Sequence, residues 1–504
     1  MLAKIFSGSV VGLDGKLIEV EVDIGQGKPS FFMVGLPAKE VEESEDRIKA
    51  AILNAGFILP NRRVTVNLAP ANIRKEGSGF DLPIAIGVLK ADRQIEIAVS
   101  SAIFAGELSL SGELRPISGV LSLAIMAKEN GFKEIFVPKS NAREASLIDG
   151  VEVYGVNDLS QLILHLLGEK KITPTKAFSD EKMVEIKSQF DMSYIKGQNQ
   201  AKRALSIAAA GGHNVIFSGP PGSGKTLLAR TLPTILPPLT KEEMLEVTRV
   251  HSVAGLLTAE NALITQRPFR KPHHTSSSAA LVGGGKIPRP GEISLSHRGV
   301  LFLDEFPEFS RITLEALRQP LEDGIITVSR AAGSLQFPAS IILVAAMNPC
   351  PCGYASDPER ECICTPIKII NYQKKISGPL LDRIDLHIEV PRLKYEKLKS
   401  QEKSPTSIEI REIVKKARQV QSNRYADSPT VTNSEMSARE VENYCKLEKG
   451  AEDLIKKAVD QMNLSARSYH RILKVGRTIA DLEEVDTITA SHIAEALQYR
   501  TRVE

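Results

Sequence analysis

The sequence has few cysteines, no excess of charge of one sign and no long apolar run, and each shortage removes a class of protein. Five cysteines in 504 residues, four of them crowded between 350 and 364, do not make the disulfide framework of a secreted chain. Lys plus Arg number 64 and Asp plus Glu 61, a formal net charge of +3, so no global field argues for a polyanion partner. Any such site must come from local clustering. No apolar run approaches the roughly 18 residues a bilayer span requires; IILVAAM at 341–347 is among the longest. The opening MLAKIFSGSVVGLDG is broken by Ser7, Gly8, Ser9 and Asp14 too early for a signal-peptide core, so a cytoplasmic protein without membrane partners is expected. There is no internal repeat and no low-complexity tract. What is present, 42% hydrophobic and 25% charged residues, is the composition of a folded globular chain, with length enough for about three domains.

Residues 1–168 read as mixed α and β. KLIEVEVDI (16–24) alternates with period two, as a half-buried strand does, and VTVNLAP (64–70), AGELSL (105–110) and EIFVP (134–138) are further strands. Between them, 35–57 carries Val41, Ile48, Ile52 and Leu53 at helical spacing. A charged, turn-rich stretch at 169–192 reads as a linker. From 193 to 390 helices alternate with strands apolar on both faces, at NVIFSG (214–219), VLFLDE (300–305) and IILVAAMN (341–348). That pattern means a parallel sheet covered by helices, an α/β domain. Residues 391–424 hold ten Lys/Arg against four Asp/Glu, with a helix expected from Ser407, and the remainder to 504 is helical in period.

The strongest chemical signal is GPPGSGKT at 219–226, directly after a strand and opening a helix. Gly219, Pro220, Pro221, Gly222, Ser223 and Gly224 form a loop whose backbone N–H groups can approach phosphates, and the helix N-terminus adds a favourable dipole. Lys225 brings a positive charge to those phosphates, and the Thr226 hydroxyl can ligate Mg²⁺. These residues point to ATP with Mg²⁺. The apolar strand ending in Asp304 and Glu305 completes the arrangement: Asp304 would hold Mg²⁺ through water and Glu305 would polarise the attacking water.

NPCPCGYASDPERECICT (348–365) places Cys350 and Cys352, then Cys362 and Cys364. Four thiolates within so short a reach can satisfy tetrahedral Zn²⁺, although buried free thiols or a disulfide also fit the spacing. Cys445 stands alone and is expected to pack. Between Arg267 and Arg298 lie six Lys/Arg against one Glu, together with His273, His274, His297 and glycines at 283–285. His273 and His274 have no third ligand in their loop and read as polar loop residues. A second insertion at 324–340 reads as a β-hairpin, with Ala332 and Gly333 near the turn and Arg330 beside its tip.

The order of P-loop, acidic strand end, Asn348 ending the next strand and GPLLDRID (378–385) resembles an AAA+ ATPase. FRKPHHTSSSAALVGGG followed by PRPGEISLSHRGVLFLDEFPEF (269–309) resembles the magnesium-chelatase-like branch, and in wording the YifB/ComM family, over nearly the whole chain. The resemblance implies a ring machine. It makes Asn348 the sensor that orients the lytic water with Glu305, Arg383 the arginine finger reaching a neighbouring subunit's γ-phosphate, and Arg467 the sensor on a helical lid, with Arg471 and Arg477 close by. It implies a homo-hexamer acting on DNA as a helicase or branch-migration translocase, with the basic glycine-rich segment facing a central pore. A phosphate backbone can be tracked there without reading sequence. Protein remodelling or chelatase-type metal insertion is the alternative.

The first 168 residues also resemble the α+β domain of Lon proteases, whose Ser–Lys dyad would fall at Phe80 or Asp81 and at about Leu121. Ser78 lies near but off that position. An unactivated serine is a poor nucleophile at neutral pH, so the resemblance implies a domain without peptidase chemistry. An ATP-dependent peptidase is therefore the less favoured reading.

Overall fold

Two long strands, Leu2–Val11 and Asp14–Gly25, pair antiparallel and anchor a mixed sheet of seven strands among the described residues. Its order is Ser30–Val34, Arg63–Ala69, Asp14–Gly25, Leu2–Val11, Ala102–Phe104, Glu134–Pro138 and Glu152–Val156. Alternation decides what each face covers. Ile5, Ile18, Val20 and Val22 pack with the helix Asp81–Ala91, while Phe6, Val10 and Leu17 pack with the helix Val120–Glu129. The coordinates are a computed structural model and describe residues 2–176, 189–285, 288–330, 333–357, 359–393 and 404–500. The expected helical stretch at 35–57 is two helices, Lys39–Glu42 and Ser44–Asn54. Val41, Ile48 and Ile52 are buried there, but Leu53 is 54% exposed because it falls on the solvent side of the turn. AGELSL supplies only the two-residue strand Glu107–Leu108, paired with Leu114–Arg115.

The chain divides into a unit of Met1–Val184 with Thr240–Thr265 and a unit of Glu185–Leu239 with Gln266–Glu504. The helix Lys241–Val253, from the middle of the span expected as the ATPase core, thus folds with the N-terminal residues. Polar contacts hold it there. Arg249 donates to the Leu13 carbonyl (3.0 Å) and pairs with Asp14 (2.7 Å), and Gly119 N–H donates to the Ser252 carbonyl. The buried Glu144 carboxylate accepts from Ser252 Oγ and from Leu121 N–H. Burial raises the pKa of Glu144, and those donors oppose the rise.

The second unit is built on five parallel strands in the order Phe269–Arg270, Val300–Leu303, Ile342–Met347, Val215–Ser218 and Leu386–Glu389. Val215, Phe217, Val300, Phe302, Val344 and Ala346 are buried in one core with the helices Asn199–Gly211 and Lys225–Ile235. The same core extends into the C-terminal helices Ser407–Arg424, Lys449–Met462, Ala466–Leu482 and Ala490–Gln498. Capping boxes start Ser407–Arg424 (Thr406 with Glu409) and Ala438–Tyr444 (Ser437 with Glu440). The fold is therefore an α/β P-loop sheet with a helical C-terminal region, preceded by an α+β unit. The hairpin Ile325–Arg330 with Gly333–Pro338 is antiparallel, as its sequence suggests. Ala332, Lys286, most of the linker (177–188) and the lysine-rich 394–403 lie outside the described residues.

Candidate active site

Parallel pairing brings the chemistry to one edge of the five-stranded sheet. Ser218 is opposite Met347 and Leu303 opposite Ala345, so Gly219, Asn348 and Asp304 leave adjacent strands at the same end. Ligands of open parallel sheets bind in the crevice outside the strands' C-terminal ends. The 219–226 loop then enters the helix Lys225–Ile235 through Gly224, at φ +94°, where a Cβ would meet no atom but the backbone favours glycine.

Lys225 is nearly buried. Its ammonium is held by the carbonyls of Gly219 (2.6 Å) and Pro220 (2.9 Å) and by Asn348 Oδ1 (3.3 Å), with no carboxylate in ion-pair range among the described residues. Burial pushes its pKa down to about 8, against the pull of Asp304. The buried Ser223 Oγ has no partner. A cation without an anion and an orphaned hydroxyl, both at a helix N-terminus, fit a phosphate chain. Thr226 Oγ1 donates to Asp304 Oδ2 at 3.2 Å, placing hydroxyl and carboxylate where they would share a magnesium ion. Glu305 turns out of the strand at φ +52°, and its N–H donates to Asp304 Oδ1. A non-glycine residue in the left-handed region is uncommon, and here it aims the two neighbouring acids in different directions.

Two residues of this site escape the sequence reading. Lys271 pairs with Asp304 at 2.9 Å, and His274 Nδ1 lies 3.1 Å from Glu305 Oε2. His274 is thus a contact of the acidic pair and not a bystander in its loop. The signal was faint because the strand that delivers both, Phe269–Arg270, is only two residues long. Their presence also redistributes the basic segment. Arg270 is bidentate with Glu292 (2.6 Å), and Arg267 donates to the carbonyls of Pro237 and Arg298. Much of the positive charge between Arg267 and Arg298 is therefore engaged internally, and Arg289 is exposed.

Arg383 and Arg467 gather elsewhere. Arg383, buried, pairs with Glu322 and donates to the Pro379 carbonyl (2.8 Å), leaving its Nε without a partner. Arg467, half exposed, takes the other oxygen of Glu322 at 3.0 Å. The two arginines thus share one carboxylate, whose pKa Arg383 lowers most. Neither bonds to the P-loop, Asp304 or Glu305 among the described residues. Arg477 is fully buried on Asp481 and the carbonyls of Val485 and Asp486, and Arg471 is tied to Asp385 at 3.0 Å. Of the three, Arg467 is the most exposed. Glu322, which sits in LEDG ahead of the hairpin, carried no sequence signal.

In the N-terminal unit, Phe80 and Leu121 are buried in the core. Asp81 is bidentate with Arg47 (2.8 and 3.1 Å) and accepts from Leu108 N–H; burial raises its carboxyl to about 6. Ser78 Oγ donates to the Glu107 carboxylate. The four clustered cysteines are free thiols with all Sγ atoms within 4.8 Å of one another, a set able to hold a metal ion. Cys445 packs in the core, where burial pushes its thiol up to about 12. No helix of the described residues is long and apolar enough to cross a membrane.

Family models for the magnesium chelatase subunit ChlI match residues 191–398 and 20–141, and the model of its C-terminal region matches 404–500. The chain is 46% identical over 507 residues to competence protein ComM of Haemophilus influenzae, covering 100% of this chain and 98% of that one. It is 41% identical over 505 residues to YifB of Escherichia coli K12, covering 99% and 97%. Lon protease of Leptospira interrogans matches 39% of the chain, at 25% identity over 224 residues and 27% of its own length. Full-length similarity and a P-loop sheet carrying Lys225, Thr226, Asp304 and Glu305 at one edge lead to one assignment: the chain belongs to the YifB/ComM family of magnesium-chelatase-like AAA+ ATPases.

Proposed function

We propose that this ATPase is a motor that assembles as a homo-hexameric ring and moves on DNA, remodelling branched structures. The observation that carries the reading is the division of the catalytic set. Lys225, Thr226, Asp304, Glu305 and Asn348 meet at one sheet edge, while Arg383 and Arg467 are held apart on Glu322. A site so divided is completed by a second copy.

Lys225 lies along the phosphates and neutralises charge that grows on them. Glu305 accepts the proton of the attacking water, and Asn348 orients that water from the next strand. Thr226 and Asp304 would hold magnesium, which would supply neutralisation of phosphate charge when bound. The neighbour's Arg383 stabilises charge at the transition state, with Arg467 beside it. The exposed Arg289 and the hairpin 325–338 are the segments that would follow a phosphate backbone. The name of the Haemophilus relative, a competence protein, supports DNA as the substrate. The four cysteines are read as a structural zinc site.

ATP hydrolysis measured without DNA and with single-stranded, duplex and branched DNA tests the substrate. The expected result is stimulation by DNA, strongest with the branched form. Equal rates in all four would turn the reading to a protein or metal-insertion substrate.

The N-terminal unit is read as a platform without peptidase chemistry, because Phe80 and Leu121 are core residues and Asp81 is committed to Arg47. Ser78→Ala is expected to leave every peptidase assay, with and without ATP, at the wild-type background. ATP-dependent casein cleavage that vanishes in Ser78→Ala would reverse this.

A further inference from the structure

We propose that Cys350, Cys352, Cys362 and Cys364 hold one zinc ion as four thiolates, and that this zinc knuckle props the nucleotide pocket by fixing Asn348 and the backbone that lies on Pro221. The second half rests on the ATP-site reading above; the first stands without it.

Three of the four sulfurs are spaced as corners of a tetrahedral site, and Cys364 Sγ lies within 4.8 Å of each of them. Zinc–sulfur bonds of about 2.3 Å put the corners of a tetrahedron roughly 3.8 Å apart. Cys350 and Cys362 Sγ are 3.7 Å apart, Cys352 and Cys362 3.6 Å, and Cys350 and Cys352 3.3 Å. The backbone agrees: N–H groups of Tyr354 and Ile363 are directed at Cys352 Sγ, that of Cys364 at Cys362 Sγ and that of Cys352 at Cys364 Sγ. Amides aimed at sulfur stabilise thiolate ligands. An all-sulfur tetrahedron selects zinc or an iron–sulfur group, and the site serves no redox step in this chemistry.

Packing does not explain the convergence. The described part of 348–365 holds no helix or strand; Cys350 is fully buried, but no residue of the stretch joins the large apolar cluster of its unit. Ile363, between two of the cysteines, is 87% exposed. So long a stretch without secondary structure needs some other tie. Four ligands on one ion supply it, contributing folding free energy directly.

The knuckle also touches the nucleotide site at two places. Asn348, two residues before Cys350, accepts from Lys225 at 3.3 Å. Gly353, at φ +88°, lies so close to the P-loop that a Cβ there would be 2.6 Å from Pro221 Cδ. Gln373 Nε2 fastens the segment from outside through the Pro349 carbonyl at 3.3 Å. Loosening the cysteines releases both contacts together.

The test uses full-length protein purified without added metal. Elemental analysis should give about one zinc per chain, released by a mercurial and captured by a chromogenic chelator. Cys362→Ser with Cys364→Ser should lose the zinc and weaken binding of a fluorescent ATP analogue by at least about tenfold. Gly353→Ala keeps all four cysteines, so it should retain zinc while weakening the same binding; it decides the matter if the double variant is insoluble. Wild-type protein without zinc, or with iron, overturns the metal assignment. Zinc present with unchanged nucleotide affinity in Gly353→Ala overturns the prop. Wild-type protein that binds zinc but no ATP would instead refute the ATP-site reading.

Discussion

Glu305→Gln protein binds ATP as the wild type does and hydrolyses it at least about a hundredfold more slowly. Glutamine keeps the size and the hydrogen-bond reach of the side chain but cannot take a proton from water, and general-base catalysis of this kind is worth about 10²–10⁴-fold. Binding should be spared because the groups that would face the phosphates are Lys225 and the loop amides, while Glu305 is more than half exposed and bonded to His274. A fall in turnover with unchanged affinity assigns the residue to the transition state and not to uniform binding. Single-turnover hydrolysis and equilibrium nucleotide binding measured on the same preparation check this. Near-normal turnover would remove Glu305 from its role.

Arg383→Ala has the larger expected effect, a loss of about 10³–10⁵-fold in turnover, the range an arginine supplied across an interface commands. The fold should tolerate it. The partner left behind, Glu322, is half exposed and remains paired with Arg467, so no buried charge is stranded. Arg383→Lys should recover little, because an ammonium cannot reproduce the planar fork that a phosphoryl group accepts. For the arginine to act, Glu322 must give it up, and the shared carboxylate therefore sets where both arginines rest. ATP affinity at Lys225 and Thr226 should be unchanged in either variant. An equal loss of binding would place Arg383 in its own chain's pocket.

The parts of the molecule that were legible in the sequence share a cause. NVIFSG, VLFLDE and IILVAAMN are central strands, apolar on both faces, and each ends at the candidate site; pattern and motif reinforce each other there. The first strand, Leu2–Val11, hid for the opposite reason. Ser7, Gly8 and Ser9 interrupt its apolar pattern, yet a Cβ on Gly8 would strike Met126 at 2.6 Å and one on Gly15 the Ser122 carbonyl at 2.5 Å. Small residues there admit the helix Val120–Glu129, a tertiary demand that local periodicity does not encode. The same holds for Lys241–Val253, which a Thr240–Glu243 capping box opens but whose place in the N-terminal unit depends on Asp14 and Glu144, far away in sequence. At the site, motif residues were visible one by one. The contacts that bind them, Lys271 to Asp304, His274 to Glu305 and Glu322 to two arginines, join distant segments through side chains with no pattern of their own.

The claim that the ring shares its active sites is tested most directly by mixing Arg383→Ala with Glu305→Gln subunits. Each variant alone should be nearly inactive. In a mixed ring, an Arg383→Ala chain keeps its own Glu305 and can receive Arg383 from a Glu305→Gln neighbour, so partial hydrolysis should return in proportion to such interfaces. If Arg383 served its own chain, every site would keep one defect and mixing would restore nothing. Rescue at equimolar mixing is the result this account predicts. No rescue, with subunit exchange demonstrated by labelled chains, would contradict it.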